Sequence, residues 1–197
     1  MKKFLAFATF LIIILSAINK VHSIEPDVFV QSTVNRASQA LNNKFSKEEK
    51  IEKLKAIAKE NVDITGIGFY TLGSYRKNIS DDQKKEYLYL FEQYFLKSFA
   101  SRLAEYSNPE IEVKSKEKLN KNYTMVSSVL IATEQRPEVN IDWRIYTKYP
   151  DNLKIRDLII EGLSLVRTQK EEFASIMNSN DGKIEVLIKN LSDFIAK

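Results

Sequence analysis

The chain has 197 residues, 44% hydrophobic and 28% charged, with 30 Lys and Arg against 26 Asp and Glu, one His and no Cys. The absence of cysteine excludes disulfides, thiol nucleophiles and thiolate metal sites. The length is enough for one domain with a well-buried core.

The first segment is Met1-Lys2-Lys3, an apolar run from Phe4 to Ile18, and then Val21-His22-Ser23. A basic start, a short apolar core and small residues at the third-last and last positions predict a secretory signal peptide cleaved after Ser23. Asn19 and Lys20 stop the run short of the about 20 apolar residues a spanning helix needs. Cleavage removes Lys2, Lys3 and Lys20, so 27 basic residues face 26 acidic ones and the mature net charge is +1. The basic pI of about 9.0 therefore belongs largely to the leader, and the usual inference from basicity to nucleic acid loses its support. His22, the single histidine, leaves with it. The mature chain then has no Ser-His-Asp or Cys-His catalysis and no histidine-ligated zinc or haem. Export without disulfides fits a bacterial periplasm, with residues 24–197 forming a single domain.

Pro26 stands at a first helical position, and Val30, Val34, Ala37 and Leu41 follow at helical spacing, predicting a helix from Pro26 to about Asn42. Ser46 with Glu49 forms a capping-box pattern ahead of Ile51, Leu54, Ile57 and Ala58, a second helix to about Lys59. Asn61 to Tyr75 holds three of the five glycines; Asp63 is placed to cap a short helix whose Gly66, Gly68 and Gly73 permit close packing or bending. Gly66-x-Gly68 is a poor phosphate loop, lacking the third glycine, the preceding strand and the Lys-Ser/Thr continuation. Ser80 with Gln83 opens a long helix to about Glu105, whose apolar face of Tyr87, Leu90, Phe91, Tyr94, Phe95, Phe99 and Leu103 is strongly aromatic. That face suits a core, or the wall of an apolar cavity.

After Pro109 the period changes to two. Ile111 to Lys116 alternates as a half-exposed strand; Tyr123 to Thr133 is apolar on both faces and reads as covered on both sides; Val139, Ile141, Trp143 and Ile145 alternate with Asn140, Asp142, Arg144 and Tyr146. Leu153 to Ile160 is a fourth strand. Leu165, Val166, Gln169, Phe173, Ile176 and Met177 then fall on one helical face, and Asn180-Asp181-Gly182 separates that helix from a last one carrying Ile184, Leu187, Ile188, Leu191 and Ile195. The pattern predicts an α+β domain: an antiparallel sheet of about four strands packed by N-terminal and C-terminal helices, enclosing an apolar pocket.

The passage from strand to helix through Glu161-Gly162-Leu163-Ser164 superficially suggests a nucleophile elbow. Val166 occupies the place of the closing glycine, and Ser164 reads instead as a helix N-cap.

Trp143-Arg144, the run Asp157-Leu158-Ile159-Ile160-Glu161-Gly162-Leu163-Ser164-Leu165-Val166, and Phe173 together resemble the MlaC family, the toluene-tolerance auxiliary proteins. Leu72-Gly73-x-Tyr75-Arg76 ahead of a capped helix is similar to another recurrent segment of that family, and the resemblance spans nearly all of residues 26–195. Family members often carry an aromatic residue followed by Arg where this chain has Gln169-Lys170, which puts contacts there in doubt. The resemblance implies a periplasmic phospholipid carrier without catalysis or cofactor, moving lipid between inner and outer membranes and so maintaining outer-membrane asymmetry. The partners it implies are an inner-membrane ABC transporter with a substrate-binding ring and an outer-membrane lipoprotein-porin complex.

For a lipid-binding lining the candidates are Phe69, Tyr75, Phe91, Phe95, Val129, Ile131, Trp143, Ile145, Leu158, Ile160 and Leu163, each of which also suits ordinary core packing. One rival reading is a small α+β enzyme using Asp142, Asp157 or Glu161 as acid-base carboxylates in an apolar pocket. Another is a protein-interaction module that takes no lipid.

Overall fold

A computed structural model describes residues 24–134 and 136–197; the expected signal peptide, residues 1–23, lies outside the described residues. Among the described residues, six helices and one five-stranded antiparallel sheet make up the fold. Helix α1 is Pro26–Ala40 and α2 is Lys47–Asn61, which starts on the capping box of Ser46 and Glu49. Helix α3, Ile64–Thr71, is capped by the Asp63 carboxylate, which accepts from the Gly66 N–H. A 3-10 turn at Tyr75–Lys77 leads to α4, Asp81–Leu103, capped by Ser80 and Gln83.

The strands follow in chain order as β1 Ile111–Asn120, β2 Tyr123–Leu130, β3 Val139–Tyr146, β4 Lys154–Ile160 and β5 Leu163–Ser164, each pairing with the next. Helices α5, Leu165–Asn178, and α6, Ile184–Ala196, complete the chain.

The sheet has five strands where the sequence predicts about four. The reason is the turn at Glu161 (φ 48°) and Gly162 (φ 81°), two consecutive left-handed residues that reverse the chain as a tight hairpin. Leu163 then pairs with Ile160 and Ser164 with Ile159. Glutamate is disfavoured at positive φ. Two hydrogen bonds to β3 hold it there, as its N–H donates to the Asn140 carbonyl and its carboxylate accepts from the Asn140 N–H.

Strand β1 runs four residues past Lys116, its outer part exposed on both sides, so no alternation marks its end. Strand β2 is covered on both faces only from Ser128 to Leu130; before that, buried and half-buried residues alternate.

Strand register assigns the two faces. Val126 opposes Trp143, and Trp143 opposes Leu158, so these share one face with Ile141 and Ile145. That face packs on Val30 and Val34 of α1 in one hydrophobic cluster. Tyr123, Arg144 and Asp157 alternate with these residues and lie on the opposite face. A register shift beside Arg144 inserts Arg156 as a bulge in β4. A second cluster is mostly helical, with Ile64, Ile67, Tyr87, Phe91, Phe173, Met177 and Leu187 at its centre. Val62 touches both clusters and bridges to Ile155 at the free edge of β4.

Candidate functional site

The residues that tie helix to sheet also build a recess that joins both. Asp157, 3% exposed, accepts from the Ser164 hydroxyl at 2.6 Å and from the Val166 N–H at 3.2 Å. Ser164 in turn accepts from the Arg167 N–H, so it caps α5 as its position predicts. One carboxylate thereby fixes the start of α5 against β4. On the other side, Arg156 donates to Asp63 through Nε at 2.6 Å and to the Tyr123 hydroxyl at 2.8 Å, and its guanidinium lies 3.9 Å from the Tyr146 ring centre. Asp63 also caps α3, so this second cluster anchors α3 to the sheet.

Between these anchors runs a groove of about 420 Å³ on the sheet face opposite α1. One wall is α3, through Gly66, Ile67 and Tyr70, with Val166 at the head of α5. The other is the sheet, through Tyr123, Arg144, Arg156 and Asp157, extended by Leu119 and Asn120 of the β1–β2 hairpin. Tyr70 and Leu119 are 43% and 42% exposed, so the groove has an open, partly apolar rim. A shallower depression of about 520 Å³ between α1 and α2 is lined by Arg36, Lys44, Phe45 and Lys53 and includes no residue of the sheet.

The eleven candidate residues are divided by the fold. Phe91 is buried in the helical cluster, with Tyr75 and Phe95 packed against it. Trp143 and Ile145 are buried under α1, joined by Leu158. Trp143 Nε1 donates to the Ser128 hydroxyl at 2.8 Å. Phe69 is half-buried on α3, Val129 is buried on β2, Ile131 is half-buried beyond the end of β2, Ile160 is half-buried opposite Ile141, and Leu163 is 59% exposed. None of the eleven lines the groove.

The groove residues absent from that set, Ile67, Tyr70, Leu119, Tyr123, Arg144, Arg156 and Val166, include the alternation partners of the apolar β2 and β3 positions. For Tyr123 and Arg144 the signal was the polar half of the period-two pattern, because α1 occupies the apolar face; Ile67, Tyr70 and Val166 lie on helices, where no such pattern marks them.

The aromatic face of α4 is filled from within the protein. Phe173 of α5 meets Tyr87, Phe91 and Tyr94 at centroid distances of 6.4, 6.2 and 6.1 Å, and Phe95 stacks on Phe99 at 5.6 Å. Gln169 and Lys170 make contacts of their own. The Tyr94 hydroxyl donates to Gln169, and the Lys170 ammonium lies 4.9 Å from the Tyr70 ring centre. They thus tie α5 to α4 and α3.

Of the carboxylates considered for acid-base chemistry, Asp157 is taken up by the α5 anchor and Glu161 by Asn140. Among the described residues no three His, Cys, Asp or Glu side chains gather where they could hold a metal ion, and no helix is long and apolar enough to cross a membrane.

Fold and groove define an α+β protein whose sheet is backed by one helix and carries on its other face a ligand-sized recess walled by α3 and α5. The family model of the MlaC protein matches residues 31–193, and the chain belongs to the MlaC family. Its fold is similar to that of a phospholipid-binding protein from Ralstonia solanacearum solved in complex with a phospholipid, with a TM-score of 0.73 and 19% identity, covering 88% of this chain and 98% of the other. At that identity the likeness is one of fold. Among curated proteins no sequence matches this one.

Proposed function

We propose that this protein is a periplasmic phospholipid carrier that shelters acyl chain in the groove between α3, α5 and the sheet and leaves the headgroup at the open rim. The observation that carries this reading is the groove itself, in a member of a family whose fold is shared by a protein solved with phospholipid. The carrier moves lipid between inner and outer membranes and supports outer-membrane asymmetry. It works with an inner-membrane ABC transporter and an outer-membrane lipoprotein-porin complex.

Each methylene taken from water into an apolar site gains about 0.8 kcal/mol, so a chain of ~16 carbons needs roughly 12 kcal/mol of shelter to leave a bilayer. A carrier must supply most of that and no more, or release fails. The groove volume of about 420 Å³ falls within the usual range for ligand sites, ~300–1,000 Å³. If a methylene takes roughly the ~30 Å³ share of a liquid water, the space holds about 14 such groups, close to one chain. A second chain enters by parting α3 from the sheet. Phe69 on α3, with Tyr75, Phe91 and Phe95 behind it, then lines the widened space. In this proposal Trp143, Ile145 and Leu158 serve the core beneath α1.

Organic extraction and mass spectrometry of the protein purified from the periplasmic fraction test the reading. About one phospholipid per protein is the expected result. An empty protein that also fails to take labelled lipid from vesicles would overturn it, and turnover of an ester substrate would favour the enzyme reading.

A further inference from the structure

The two arginines on the groove wall are held very differently. Arg156 spends its donors on Asp63 and Tyr123 and has its plane against Tyr146. The Arg144 guanidinium has one polar contact among the described residues, to Asp157 Oδ2 at 3.4 Å, longer than an ordinary charged hydrogen bond. Asp157 is a weak partner for it, since the same carboxylate accepts at 2.6 Å from Ser164 and at 3.2 Å from Val166. The Arg144 side chain is 40% exposed and lines the groove. A planar fork with most of its five donors unspent, beside Ile67, Tyr70 and Val166, matches an anionic oxygen pair carried on an apolar chain.

We infer that Arg144 is a phosphate anchor, taking the phosphodiester of the bound lipid where the tail enters the groove. This rests on the carrier reading and adds to it a preference for phosphate-bearing lipids over neutral ones with the same tails. The groove is not a general anion trap, because Asp63 and Asp157 balance the two arginines in charge. Phosphate is held there only when an apolar chain brings it.

The experiment loads delipidated full-length mature protein with phosphatidylglycerol, with phosphatidylethanolamine or with the diacylglycerol of the same chains, and reads occupancy by native mass spectrometry. Wild type is expected to favour both phospholipids over the diacylglycerol by about tenfold or more, as one charged bidentate contact gives. Arg144→Gln removes that preference, with circular dichroism showing that the variant is folded; Arg144→Lys restores part of it. Equal loss for all three lipids, or no change for any, overturns the inference while the carrier reading stands. If no lipid loads into wild type, both fail. A titration with inorganic phosphate identifies the source: weak binding is expected, and binding as tight as that of phospholipid overturns the lipid-phosphate assignment.

Discussion

Replacing Asp157 with alanine removes the joint between β4 and α5, and the cost follows from its geometry. Two hydrogen bonds to a buried carboxylate are lost, from the Ser164 hydroxyl and the Val166 N–H. At roughly 1.5–3 kcal/mol for each bond to a charged group, these set the scale. The contact to Arg144 is long and its guanidinium 40% exposed, so it adds at most about 1 kcal/mol. The sum is about 4 kcal/mol, which in a domain of this size lowers the melting temperature by ~8–16 °C. Asp157→Asn keeps one carbonyl acceptor of the same shape and should lose about half as much. Thermal unfolding followed by circular dichroism measures both, with lipid extraction from the folded fraction alongside. On the carrier reading, occupancy per folded molecule persists in Asp157→Asn, since the residue positions α5. A loss under about 1 kcal/mol in the alanine variant would refute the anchoring role, and an ester-hydrolysing activity abolished by Asp157→Asn would move the residue into catalysis.

Gly68 sits on α3 where an added Cβ would lie 3.0 Å from Leu88 Cδ2 and 3.0 Å from Phe91 Cδ1. Phe91 is 1% exposed and held by Tyr87 and Phe173, so Gly68→Ala should destabilise by about 1–2 kcal/mol in urea unfolding despite the better helix propensity. Burial pushes the Tyr87 phenol far above its ordinary value of 10.0, partly offset by its hydrogen bond to Thr71, and burial raises Tyr94 as well. Their contribution is whole below the unfolded value and is lost as pH rises past it. Melting temperature should therefore fall as pH rises above about 10, less steeply in Tyr87→Phe. Val166→Glu places a charge on the groove wall and should cut phospholipid occupancy about tenfold or more. Trp143→Phe, on the other face, should lower stability through the lost Ser128 contact and spare occupancy per folded molecule; the reverse pattern would place the tails under α1.

Helix starts were legible because capping is local. Ser46 and Ser80 receive the N–H three residues on, Asp63 and Ser164 do the same, and each was visible as a residue type beside an apolar period. The fifth strand was less so, since a Glu-Gly turn is an uncommon left-handed pair and depends here on Asn140, twenty-one residues away. Contacts at that separation leave no mark in a window of sequence.

The groove lies deeper still. A period-two pattern states which residues share a face and is silent on what covers that face. In β3 the apolar set of Ile141, Trp143 and Ile145 is claimed by α1, so the ligand-sized space falls to Arg144 and its neighbours. An apolar criterion for a lipid site therefore selects the half of the sheet that the protein needs for its own core. The groove that remains must draw its apolar area from α3, from Val166 and from exposed Tyr70 and Leu119, while the sheet contributes polar atoms. On the carrier reading, a tail in this partly polar, open groove would be sheltered without being sealed in, which would keep release within reach.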